Sequence, residues 1–176
     1  MKKTILIYGL IAGFIASLMM AATLIVGLDN MGSVWSMVLG FTGMIIAFAF
    51  FVGVAKYRDK INNGAVSFGN AFLIGLGISL IASTMYVLVW MAEYKYMYPD
   101  FIEKYAAHSI EMMKKNGATQ PEIDKATIEM ADMAVKYKND PLYRAGVTYT
   151  EILPLGILAS LIAAVALRRK PKPIGA

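Results

Sequence analysis

The sequence predicts an all-α, polytopic membrane protein with four transmembrane helices and an extracytoplasmic helical hairpin between the third and the fourth. Three observations carry this. Of the 176 residues, 58% are apolar and 16% charged, against about 45–50% and about 25% in a soluble domain. Four apolar stretches free of charge each approach the roughly 20 residues a helix needs to cross a bilayer. A single long polar segment, 93–146, is patterned like two amphipathic helices. The mean hydropathy of +0.57 excludes disorder, and the absence of cysteine excludes disulfide scaffolds and thiolate zinc sites. The length reads as one membrane domain, 1–176.

The first span covers about 4–28. Its basic start and the pair Ala21-Ala22 suit a signal peptide, but the apolar run continues through Val26 and a short turn leads into the next span, so it reads as retained. The second span covers about 34–55. The third covers about 68–92; Gly64 permits the turn before it, Ser67 caps it, and Phe68 and Phe72 set its phase. Asn70, at its mouth, reads as a second capping residue. The fourth covers about 150–167, its uncharged run beginning at Ile152, with Val147 as its earliest start, and Pro154 marks its beginning or a kink.

Lipid tails are as apolar as leucine, so close approach through small residues must hold such helices together. Gly9, Gly13 and Ser17 in the first span, Gly75, Ser79 and Ser83 in the third, and Gly156 and Ser160 in the fourth recur at spacing four, on one helix face each. They are the helix-packing candidates. The second span offers Gly43 and Ala47.

Basic residues orient the spans. Lys2 and Lys3, then Lys56, Arg58 and Lys60, then Arg168, Arg169 and Lys170 with Lys172, lie in three short segments that share one side. They are cytoplasmic anchors that also meet anionic lipid head groups. Both termini are therefore expected in the cytoplasm, and 93–146, where acidic residues outnumber basic ones, outside it. Trp35, Trp90, Tyr94, Tyr96 and Tyr149 collect at the outer ends of the spans, in the head-group layer that such rings prefer.

In the outer segment, a helix over about 99–115 carries Ile102, Tyr105, Ala106, Ser109 and Met113 on one stripe and stops at Asn116-Gly117. Thr119-Gln-Pro-Glu122 is a capping box that starts a second helix, about 120–138, whose stripe is Ile123, Thr127, Met130, Ala134 and Tyr137. Glu111 with Lys115 and Asp132 with Lys136 are favourable four-residue pairs. Asn139-Asp-Pro141 ends the hairpin, which packs on itself and the spans or lies on the membrane surface.

Chemistry is sparse. No predicted span holds an ionisable residue in its interior, which argues against ion-coupled transport. His108 is the only histidine; with Met112 and Met130 it offers a soft set for cuprous ion, but methionine is also the ordinary filler of irregular cores. Glu93 and Glu151 flank the outer segment as an acid–base pair or, more simply, as two solvated boundary residues. No nucleophile, phosphate-loop or zinc-protease motif occurs. No catalytic, cofactor or metal site is assigned.

The stretch from Tyr57 to Phe72, an Arg-Asp-Lys turn, a glycine, then Ser67-Phe-Gly-Asn-Ala-Phe72 opening a glycine-rich span, resembles the bacterial family of four-span membrane proteins known as domain of unknown function 4199. The methionine-rich outer segment and the Leu-Pro-Leu-Gly opening of the last span, closing in Arg-Arg-Lys, resemble it too. The resemblance implies a bacterial inner-membrane protein and assigns no active residues. The expected function is that of a non-enzymatic accessory or scaffold subunit whose hairpin binds a partner. The alternatives are a small oligomeric transporter or channel, sensitive at Gly75 or Ser79, and a membrane enzyme acting on lipid or envelope substrates through Glu93, Glu151 or His108. The expected partners are the lipid bilayer, a membrane or periplasmic protein and further copies of the chain; nucleic acid and cofactors are not expected.

Overall fold

The computed structural model describes residues 1–27 and 51–170. Among these, the elements are α1 (Lys2–Gly27), α2 (Phe51–Lys56), a wide turn (Tyr57–Ile61), α3 (Phe68–Tyr96), α4 (Phe101–Lys115), α5 (Gln120–Asn139) and α6 (Pro141–Leu167). Three of them, α1, α3 and α6, are long and apolar enough to cross a membrane. The expected second span falls mostly on residues 28–50, outside the described residues; its last turns correspond to α2.

Helix α3 is the centre of the bundle and packs on both α1 and α6. It runs parallel to α1: Gly77 lies against Ile5, Gly9 against Ile81 and Gly13 against Met85. It runs antiparallel to α6: Gly75 lies against Ser160, and Ser79 against Gly156. Ala71, Ile74, Ile78 and Ala82 of α3 are fully or almost fully buried and form the core with Val54, Ile152 and Ala164. The outward faces keep large apolar side chains such as Phe14, Leu18, Leu88 and Leu158 exposed, as suits helices whose solvent is lipid.

One end of the bundle, here termed proximal, gathers the basic residues. Lys56 lies over the Tyr8 ring, and the Arg58 guanidinium donates to the Leu167 carbonyl at 3.2 Å. Val66 and Arg169 exchange backbone hydrogen bonds of 3.0 and 2.9 Å, so the segment before α3 is stitched to the end of α6. The chain can turn there because Asn63 and Gly64 adopt positive φ, 51° and 78°, a conformation tolerated best by glycine and asparagine. Ser67 caps α3 by accepting from the Asn70 amide at 3.3 Å; Asn70 is thus the capped residue and not the cap.

At the distal end, α4 and α5 contact each other. Helix α4 starts at Phe101, two residues later than Pro99. The capping box forms around Glu122, whose carboxylate accepts from the Thr119 amide and hydroxyl, both at 2.8 Å. These bonds hold the Glu122 carboxyl below its usual range. Glu111 pairs with Lys115 at 2.7 Å; Asp132 and Lys136 form no ion pair among the described residues.

Lys138 donates to Glu103 at 2.7 Å and ties the end of α5 to the start of α4. This hydrogen bond holds Glu103 below the usual carboxylate range and Lys138 above the usual ammonium range. The carboxyl's contribution is present above the ordinary glutamate pKa and lost as pH falls through its lowered value; the ammonium's is lost only as pH rises through its raised value. Acidification below the ordinary glutamate range is therefore expected to release the tie. Amide exchange in the first turns of α4, corrected for its intrinsic pH dependence, should accelerate in the native chain and not in Glu103→Gln.

The largest departure from the sequence reading is the start of α6. The helix begins at Pro141, about two turns before Val147. Asp140, read above as part of a hairpin end, is its N-cap, accepting from the amides of Leu142 and Tyr143 at 2.9 and 3.1 Å. Pro141 occupies the first helical position, where its missing N–H costs nothing. Pro154 consequently lies inside the helix rather than at its start, and it leaves the Thr150 carbonyl without its usual amide donor. The longer helix holds two ionisable residues, Arg144 and Glu151, ahead of the uncharged run that begins at Ile152.

Candidate functional site

The distal ends of α3 and α6 meet α4 and α5 around a buried arginine. Arg144 follows one turn after the Asp140 cap, and its backbone amide donates to the Asp140 carbonyl at 3.0 Å. Its side chain is 7% exposed. The guanidinium donates to the Tyr137 carbonyl at 2.9 Å and lies 3.3 Å from the Met91 sulfur. Its carbon stands 4.1 Å from the Tyr94 ring centroid and 5.7 Å from that of Tyr137. Among the described residues no carboxylate pairs with it. The desolvated charge is balanced by a carbonyl, whose bond to a cation is about twice as strong as a neutral one, and by two ring faces.

Trp90 completes the cluster. Its indole N–H donates to the Tyr137 hydroxyl at 2.6 Å, and its ring meets Phe101 edge-on at 4.9 Å. Tyr94 and Tyr137 meet edge-on at 5.4 Å. Burial raises the Tyr137 phenol above its usual pKa. One aromatic group therefore locks α3, α4, α5 and α6 together.

Beside this cluster lies a cavity of about 350 Å³. Helix α1 contributes Met19, Met20 and Leu24 to its wall, and α3 contributes Tyr86 and Trp90. Phe101, Tyr105, Met133 and Tyr137 close it from α4 and α5. Helix α6 presents Thr148 and Glu151 to it. Arg144, Thr148 and Glu151 share one face of α6 at spacings of four and three, and the Thr148 hydroxyl donates back to the Arg144 carbonyl at 3.0 Å.

Glu93 and Glu151 are not brought together. Arg144 lies beside Met91, and the Tyr149 hydroxyl donates to Thr84 at 2.7 Å. In that antiparallel register Glu151 sits nine or more residues of α3 away from Glu93, which is roughly 15 Å at 1.5 Å per residue. Glu151 is exposed, as expected of a solvated residue, and contributes to the cavity lining. His108 is half-buried on α4, and no group of three or more His, Cys, Asp or Glu residues able to hold a metal occurs among the described residues.

The packing candidates divide into two contacts. Gly75, Ser79, Gly156 and Ser160 meet one another. The Ser79 hydroxyl lies 3.0 Å from both the Gly75 and the Gly156 carbonyls and 3.2 Å from the Ser160 hydroxyl, which donates to Gly156 at 2.6 Å. Gly9 and Gly13 instead face Ile81 and Met85, on another side of α3. Ser17 and Ser83 are buried, and neither hydroxyl has a hydrogen-bond partner among the described residues. Lys2, Lys3, Lys56, Arg58, Lys60, Arg168, Arg169 and Lys170 all lie at the proximal end, far from the cavity.

In the sequence, Arg144 is one of the thinly spread charges of the polar segment. The signal was present: Asp-Pro is the usual opening of a helix, and a helix opening there puts Arg144 on the inward face. A family model described as "Protein of unknown function (DUF4199)" matches residues 7–169. Comparison with curated proteins and with solved structures gives no match.

Proposed function

The chain belongs to this family, and from that premise we propose a non-enzymatic accessory or scaffold subunit of the bacterial inner membrane, which binds a partner through α4 and α5. In this reading the proximal end is cytoplasmic, because its basic residues resist translocation. Residues 34–55 supply the other span, making four, and α4 with α5 form a hairpin on the outer side. The observation that carries the reading is the outward face of α5. Ile128 and Val135, seven residues apart on one face, are 65% and 61% exposed. They lie opposite Ile123 and Tyr137, which are buried. Ile128 and Val135, two turns apart, can be covered together by one apolar helix laid alongside. The occupant we assign is a helix of another membrane or periplasmic protein.

The test is purification from native membranes in a gentle detergent. A stoichiometric partner is expected with the native chain. Ile128→Asp with Val135→Asp is expected to lose it while the protein level in the membrane stays unchanged. The absence of native cysteine allows topology to be read in parallel: Asn116→Cys should react with an impermeant thiol reagent from outside the cell, and Asn63→Cys should not.

A further inference from the structure

We propose that the proximal cavity, between the start of α3 and the end of α6, binds an anionic phospholipid. The residues after α6 supply Arg168, Arg169 and Lys170 to its lining, and the start of α3 supplies Ser67, Phe68 and Asn70. Its volume of about 790 Å³ falls within the range for ligand sites, roughly 300–1,000 Å³. The frame is fixed, because Val66 and Arg169 exchange two backbone hydrogen bonds and so hold the three cations beside α3. The charge there is one-sided. Arg168, Arg169 and Lys170 pair with no carboxylate among the described residues, and residues 171–176 contain no aspartate or glutamate. Asp59 is near enough to Arg169 for their charges to interact, but Arg58 already grips it at 2.6 and 2.8 Å.

Three like charges held side by side call for an anion with several oxygens, and the planar fork of arginine suits phosphate. The positive end of α3 adds to the same field. Its Phe68 and Gly69 amides have no acceptor among the described residues, and the turn is open, since a Cβ added at Gly69 would meet nothing within 4 Å. The apolar part of the ligand is read from Phe68. This ring lines the cavity, is 41% exposed and stacks on Phe72, one turn further along α3, with centroids 6.3 Å apart and planes 2° apart. Helix α3 runs from this end along a membrane-spanning length, so the two rings carry apolar surface from the cations toward the membrane interior. A phosphate joined to acyl chains matches both features, and a free phosphate matches only the first.

The test is native mass spectrometry of the full chain in a non-ionic detergent, titrated with phosphatidylglycerol or with phosphatidylcholine. The first phosphatidylglycerol should bind at least about tenfold more tightly than phosphatidylcholine. The triple variant Arg168→Gln, Arg169→Gln, Lys170→Gln should lose that difference. The control variant Lys2→Gln, Lys3→Gln, Lys60→Gln removes the same charge from the proximal end but touches no residue of the cavity lining, and it should keep the difference. Arg168→Gln and Lys170→Gln alone should each give part of the loss, so the result does not rest on the folding of the triple variant. Phe68→Ala should also weaken phosphatidylglycerol, and millimolar inorganic phosphate should not displace it. Equal affinity for the two lipids, equal loss in the two triple variants, or displacement by inorganic phosphate would each overturn the proposal, the last by assigning the cavity to a free anion.

Discussion

Replacing Gly75 by leucine is expected to lower the melting temperature in detergent by about 6–12 °C, from an overpacking cost of about 3 kcal/mol. The reason is the absence of space between α3 and α6. Even a Cβ at Gly75 would stand 2.9 Å from the Ser160 Cβ and 3.1 Å from its Cα. Backbone cannot move aside as the tip of a flexible side chain can, so the helices must separate. Separation also breaks the hydroxyl contacts among Ser79, Gly156 and Ser160, whose polar groups then face lipid, where each unmet hydrogen bond is costly. Gly146→Leu is the matched control. It lies on α6 with nothing within 4 Å of an added Cβ, and it should leave the melting temperature unchanged or slightly raised, since leucine favours a helix over glycine.

The second large effect is expected at Arg144. Arg144→Ala removes a charge-assisted hydrogen bond to the Tyr137 carbonyl and the stacking on Tyr94, together about 3 kcal/mol. It also leaves a hollow between two rings. The loss should be local to the distal end, because Arg144 touches α3 and the end of α5 and belongs to the first turns of α6. Hydrogen exchange should therefore accelerate at the end of α5 and the start of α6, while the seam at Ser79 and Ser160 stays protected. Arg144→Lys should fall between the native chain and alanine, since an ammonium keeps the charge but lacks the planar fork. Uniform acceleration along α3 and α6 would contradict a local role.

The elements that local chemistry determines were readable in advance. Ser67 before Phe68 opens α3, and Thr119 with Glu122 opens α5, because each cap satisfies amides within its own turn. The two stripes follow helical periodicity, and Ile102, Ile123 and Tyr137 are buried as that predicts, while Tyr105 and Thr127 on the same stripes are exposed. What was not readable depends on which surfaces meet. A glycine–serine ridge looks the same whether it faces a matching ridge, as Gly75 does, or an isoleucine and a methionine, as Gly9 and Gly13 do. Arg144 and Glu151 were hidden by a single boundary. Once Asp140-Pro141 is an opening and not an ending, both residues move from a polar segment into a long helix, one under the aromatic cluster and the other in the cavity wall.

Photocrosslinking in native membranes shows directly whether the outward face of α5 holds a protein partner. A photoreactive residue placed at Val135 or Ile128 should give one discrete adduct with a different protein, and the same residue at Ile123 should give none. Adducts formed only with lipid, or only with a second copy of the chain, would contradict the claim.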